Sequence, residues 1–192
     1  MIPFSRPLFL ASQSPRRKEL LAGMGFDFEI IRTDVKEEYP DNLSPVQIAE
    51  YLSQLKLSTL DFDTFPKESV FIACDTIVVL GDEVLGKPHD EEDACRLLRK
   101  LSGKEHTVIS GLTLRTANQT LTDHRETRVK FRELTEEEIE EYVKKYQPLD
   151  KAGAYGVQEW IGYIGIEYIV GSFYNVMGLP TQLLWQMLST LK

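Results

Sequence analysis

Short apolar runs and amphipathic stretches alternate along the chain. Leu8-Phe9-Leu10-Ala11 suits a short buried strand, and Ser14-Pro15 after it reads as a helix start. Ser is a favoured N-cap, and Pro fits the first helical position because its missing N–H has no partner there. Leu20, Leu21 and Met24 share one helical face, with Gly23 and Gly25 as the stop. Phe26 to Arg32 reads as a strand, running into an acidic, turn-prone stretch from Asp34 to Asp41. Ser44-Pro45 repeats the start signal, and Ile48, Leu52 and Leu55 mark a helix face through about Leu60.

Val70-Phe71-Ile72-Ala73-Cys74 lacks polar alternation, the mark of a strand covered on both faces. Asp75-Thr76 interrupts it, Ile77 to Leu80 resumes it, and Gly81-Asp82 makes a hairpin turn to Glu83-Val84-Leu85. Asp90 opens a helix with Ala94, Leu97, Leu98 and Leu101 on one face. Thr107 to Arg115 reads as a strand with Ser110-Gly111 as a bulge signal, and Thr120 to Arg132 as a long, mostly polar strand. Thr135 and Glu138 form a capping box for a helix striped by Ile139, Tyr142, Val143 and Tyr146. Trp160 to Tyr174 alternates glycine with apolar residues and predicts tightly joined strands. Gly178-Leu179-Pro180 starts a last helix bearing Leu183, Leu184, Met187, Leu188 and Leu191. Strands and helices alternate but include hairpins, so an α/β fold with a mixed sheet is expected. With no long linker or repeat, residues 1–192 are read as a single domain.

The formal net charge of -8 argues against general nucleic-acid binding, so any phosphate site must be a local basic cluster. No apolar run is long enough to cross a membrane, and Met1 to Arg6 carry no signal-peptide core. Cys74 and Cys95 have neither metal-ligand nor redox spacing, which fits a reduced, cytoplasmic protein.

Several positions break structural rules. The first turn after Ser14 carries Arg16 and Arg17, although the partly positive end of a helix favours acids. Strand, hydroxyl-bearing turn, helix start and two guanidinium groups make a polyphosphate cradle. The alternative is that both arginines reach solvent and pair with Glu19 or nearby acids. Asp75 interrupts an apolar run, and a buried carboxylate needs a cation, donors or water; otherwise it caps a turn through Thr76. Lys56 lies beside an apolar helix face, either pointing into a cleft or exposed. Gly81, Gly86 and Lys87 fit the start of a P-loop, but Pro88 replaces the magnesium-holding Ser or Thr. Lys87 remains a separate candidate phosphate ligand. Asp150 to Gln158, with Gly153 and Gly156, allows close backbone approach to a ligand. Cations Arg16, Arg17, Lys56, Lys87 and Lys151, with acids Glu37 and Asp75, are the two sets that phosphoanhydride hydrolysis needs. His89, His106 and His124 lack metal-ligand spacing. Ile77 stands where a two-aspartate phosphohydrolase pattern needs its second acid.

Ala11 to Leu21 resembles the N-terminal signature of the Maf family of nucleoside triphosphate pyrophosphatases. The likeness continues through Glu37, Lys56, Cys74-Asp75-Thr76, Gly86-Lys87-Pro88, Leu101-Ser102-Gly103, Asp150 to Gln158 and Val176 to Pro180. It implies an elongated mixed sheet flanked by helices, two lobes with a central cleft, and commonly a homodimer. It also implies cleavage of the α–β phosphoanhydride with a divalent cation, magnesium or manganese. By position, Asp75 would activate water and, with Glu37, hold the metal. Ser12, Ser14, Arg16, Arg17, Lys56, Lys87 and Lys151 would bind the substrate, and Arg16, Thr76 and Gln158 would select it. The forms of these motifs are similar to the branch acting on dTTP and UTP, with modified pyrimidine nucleotides as further substrates. A nucleotide-binding regulator of septum formation with little turnover is the competing expectation.

Overall fold

The computed structural model describes residues 4–191. Met1 to Pro3, which open the stretch read above for a leader, and Lys192 lie outside the described residues. The strands are β1 (Leu8–Leu10), β2 (Glu29–Ile30), β3 (Val70–Leu80), β4 (Glu83–Leu85), β5 (Glu105–Arg115), β6 (Thr120–Phe131) and β7 (Ile166–Val170). They form one sheet in the order β2-β1-β3-β5-β6-β7, with β4 paired to β3. β1 runs parallel to β2 and β3, whereas β4 on β3 and β7 on β6 are antiparallel. The sheet is therefore mixed, as the hairpins and alternating elements implied. The helices are α1 (Pro15–Gly23), α2 (Pro45–Leu55), α3 (Glu91–Leu101), α4 (Glu136–Tyr146), α5 (Trp160–Gly165), α6 (Phe173–Met177) and α7 (Thr181–Ser189).

The chain divides into two compact units. The first comprises the segment ending at Asp75, Ser110–Arg125 and the segment beginning at Gly178; the second comprises Thr76–Ile109 and Glu126–Met177. In the first unit, side chains of β1 and β3 alternate between two cores. Leu8, Leu10, Val70, Ile72 and Cys74 join Leu183, Leu184, Met187 and Leu188 of α7. Phe9, Ala11, Phe71 and Ala73 pack with Leu57, with Phe9 stacked on Phe71 at 5.3 Å between ring centroids. An unbroken apolar run is thus explained by burial on both faces.

The second unit packs α3 against α4. Both helices carry acids in the first turn and bases in the last, in favour of the helix dipole. The Asp90 side chain accepts the Asp93 N–H, and Thr135 with Glu138 completes the expected capping box. His106, at the start of β5, is buried, stacked on Phe131 and 2.8 Å from the Tyr155 hydroxyl through Nε2. Burial pushes its imidazole down to about 4, because charging it would leave an ion without water.

Two expectations are corrected. The strand expected over Phe26 to Arg32 is only Glu29–Ile30. Trp160 to Tyr174 contains α5, β7 and the start of α6 rather than strands alone. Its glycines reflect close packing: a Cβ on Gly162 would sit 1.9 Å from the Val157 carbonyl oxygen. Gly111 likewise marks a close approach, since a Cβ there would lie 2.2 Å from the Ala49 carbonyl oxygen of α2. That contact gives the glycine a reason of its own beside the expected bulge.

Candidate active site

Asp75 lies inside continuous β3 and is 7 % exposed, so it caps no turn. Its carboxylate meets Lys56, whose Nζ stands 2.9 Å from Asp75 Oδ1. The same ammonium pairs with the Glu37 carboxylate. Lys56 is the C-cap of α2, which ends at Leu55 rather than near Leu60, and it is 6 % exposed. It is therefore not a solvent-facing helix lysine. Two features seat α2 so that its end reaches Asp75. The helix backbone lies against Gly111, and Ser53 Oγ is 2.7 Å from Thr113 Oγ1 of β5. Burying a lone ammonium or carboxylate is costly, and each here meets an opposite charge.

Glu37 and Asp75 thus converge on one cation. Their carboxylate oxygens are hard donors, of the kind magnesium and manganese prefer. Magnesium characteristically uses one or two carboxylates with substrate phosphates and water, so this pair fits such an ion. A different cluster, Glu50, Asp123 and His124, has one donor atom from each residue within 4.8 Å of the others. It escaped the sequence reading because the histidines were judged by spacing along the chain, whereas these donors come from α2 and β6. In this structure His124 Nδ1 is 2.8 Å from Glu50 Oε1.

At the start of α1, Ser14 occupies the N-cap and Pro15 the first position, but the Ser14 side chain makes no capping bond. Its backbone N–H instead donates to Ser12 Oγ at 3.2 Å. No acid lies in the first turn, and Arg16 is half-buried there. Arg17 donates through Nε to the Gly178 carbonyl at 2.7 Å and through Nη1 to Ser12 Oγ at 3.4 Å. The alternative pairing with Glu19 does not describe these bonds. Arg17 fastens the first turn to the chain entering α7, and Cys74 Sγ meets the same Gly178 carbonyl at 3.3 Å.

The remaining candidates belong to the second unit. Thr76 follows Asp75 in β3 and is half-buried; Lys87 follows β4 and is exposed. Lys151 is buried, its Nζ lying 2.8 Å from Asp150 Oδ1 and 3.2 Å from Glu159 Oε1. Glu159 also accepts from the Tyr142 hydroxyl at 2.5 Å, and that hydroxyl accepts the Gly156 N–H at 3.0 Å. A Cβ on Gly156 would lie 2.6 Å from Glu159 Cδ, so the glycine makes room for this carboxylate. Gly153, at φ 69°, donates its N–H to the Gly86 carbonyl at 3.0 Å and joins the Lys87 and Lys151 loops. Gln158 Oε1 is buried with no hydrogen-bond partner among the described residues. Glu159 and its link to Tyr142 were missed, because an acid just before an apolar segment has no distinctive sequence pattern.

The sequence profile of a family described as "Maf-like protein" matches residues 7–191. A protein of Bacteroides thetaiotaomicron named dTTP/UTP pyrophosphatase is 52% identical over 180 residues, covering 93% of this chain and 92% of that protein. Proteins of the same name from Phocaeicola vulgatus and Bacteroides fragilis (strain NCTC 9343) are each 47% identical, covering 96% of this chain and 95% of theirs.

Proposed function

The chain belongs to the Maf family, and on that premise we propose that it hydrolyses dTTP and UTP at the α–β phosphoanhydride. The products are the nucleoside monophosphate and pyrophosphate. Modified pyrimidine nucleotides that keep the same hydrogen-bonding edge fall within its range. The family match runs through segments of both compact units, which supports one functional domain over residues 1–192. The enzyme acts in the cytoplasm, as a homodimer.

The observation that carries this reading is Asp75, buried in β3 and held by the Lys56 ammonium. A carboxylate carried on a central strand is a base fixed in position, able to take a proton from the attacking water. As that water's oxygen bonds to the α-phosphorus, the α–β anhydride bond breaks and negative charge grows on the departing pyrophosphate. Ser12, Ser14 and Arg16 at the start of α1 bind phosphate oxygens, helped by the unpaired N–H groups of the helix end. Arg17 contributes chiefly by holding that turn, and its charge adds to the local field. Lys87 supplies further positive charge for the triphosphate, whereas Lys151 reaches it only by giving up its pairing with Asp150 or Glu159. A magnesium or manganese ion, held by Glu37 and Asp75, supplies charge neutralisation at the phosphates when bound.

Arg16, Thr76 and Gln158 select the base. The unpartnered Gln158 Oε1 suits a donor such as the N3–H shared by uracil and thymine. A buried acceptor left unpaired by the wrong base discriminates strongly. Purified protein incubated with magnesium and a panel of nucleoside triphosphates tests the proposal. Fastest turnover of dTTP and UTP to monophosphate and pyrophosphate is expected; orthophosphate and diphosphate as products would overturn the bond assignment.

A further inference from the structure

The Lys56 ammonium bridges the Glu37 and Asp75 carboxylates while its side chain is only 8% exposed. A cation reached by both of these oxygens occupies the place where a divalent ion would be held by the same pair. We propose that Lys56 is a positioning residue that stands in for the metal: its ammonium keeps the acidic pair assembled in the metal-free enzyme and leaves when the divalent ion enters. This rests on the reading of Glu37 and Asp75 as the metal-binding pair.

Two features of the chain fit an exchange of cations. Glu37 lies outside the regular helices and strands, with its side chain 42% exposed, whereas Asp75 is buried in β3. Without a cation, mutual repulsion would separate the two carboxylates. Lys56 is anchored by its backbone at the end of α2, its N–H donating to the Leu52 carbonyl at 3.3 Å. Its flexible four-carbon stem allows the charged head to relocate without moving the helix. The divalent ion and the ammonium cannot share one position, so metal binding carries the cost of displacing Lys56. A unit positive charge within a few ångströms weakens divalent-ion binding by about tenfold even in a water-like dielectric.

The test measures manganese binding without nucleotide, by the loss of the free-ion electron paramagnetic resonance signal. The wild type is compared with Lys56→Met and Asp75→Asn. Lys56→Met is expected to bind manganese about tenfold more tightly, and Asp75→Asn to lose most binding. Unchanged or weaker binding by Lys56→Met would overturn the stand-in role. Asp75→Asn binding manganese as the wild type does would instead overturn the assignment of the pair. A second measurement needs no variant: acetic anhydride labelling of the wild type, read by mass spectrometry. Lys56 is expected to be protected without metal and several-fold more reactive with saturating manganese; equal labelling in both states contradicts the exchange.

Discussion

Replacing His106 by Gln should flatten the acid side of the stability profile. In the folded chain the imidazole is buried, bonded to Tyr155 and stacked on Phe131, and its pKa is lowered from 6.5 to about 4 by desolvation. The unfolded chain therefore binds a proton that the folded chain refuses between those values. Stability from this group is complete above about pH 6.5 and is lost as pH falls towards about 4. The full difference corresponds to about 3 kcal/mol, at about 1.4 kcal/mol per pH unit. At pH 5 linkage gives a loss of about 2 kcal/mol relative to pH 7.5. Urea unfolding at several pH values, for wild type and His106→Gln, isolates this contribution because the carboxylates are common to both. The wild type should lose about 2 kcal/mol more than the variant between pH 7.5 and 5. Parallel profiles would refute the idea that a neutral buried His106 sets the slope.

Gly111→Ala places a methyl group 2.2 Å from the Ala49 carbonyl oxygen. The backbone of α2 must shift, with a loss of about 1–3 kcal/mol in urea unfolding and reduced activity through displaced Lys56. Tyr142→Phe keeps the ring but removes the hydroxyl that serves both Glu159 and the Gly156 N–H. Leaving the buried Gly156 N–H unpaired should cost about 1–3 kcal/mol, and thermal denaturation should show the loss; an unchanged midpoint would contradict the role assigned to that hydroxyl.

Local chemistry made much of the fold legible. Ser44-Pro45 and Thr135 with Glu138 start α2 and α4 as expected, since capping depends on residues within one turn. Asp75 stood out because an acid in an apolar run demands a partner. The partner's identity was not legible, because Lys56 is brought to Asp75 by tertiary packing of α2 and Glu37 meets the same ammonium from outside the regular elements. The same holds for Glu159, whose carboxylate is defined by Tyr142, Gly156 and Lys151 together. Glycine was less legible. At Gly111 and Gly162 it signals a neighbouring backbone, which sequence alone cannot distinguish from a bulge or a turn between strands.

Asp75→Asn puts the account to its most direct test, with UTP binding measured by calorimetry and turnover by pyrophosphate release. The amide keeps the shape of the side chain but cannot take the proton. Turnover should fall by about 10²–10⁴-fold while UTP still binds within about tenfold of wild type. An Asp75→Asn enzyme that releases pyrophosphate at the wild-type rate would contradict the central role given to this carboxylate.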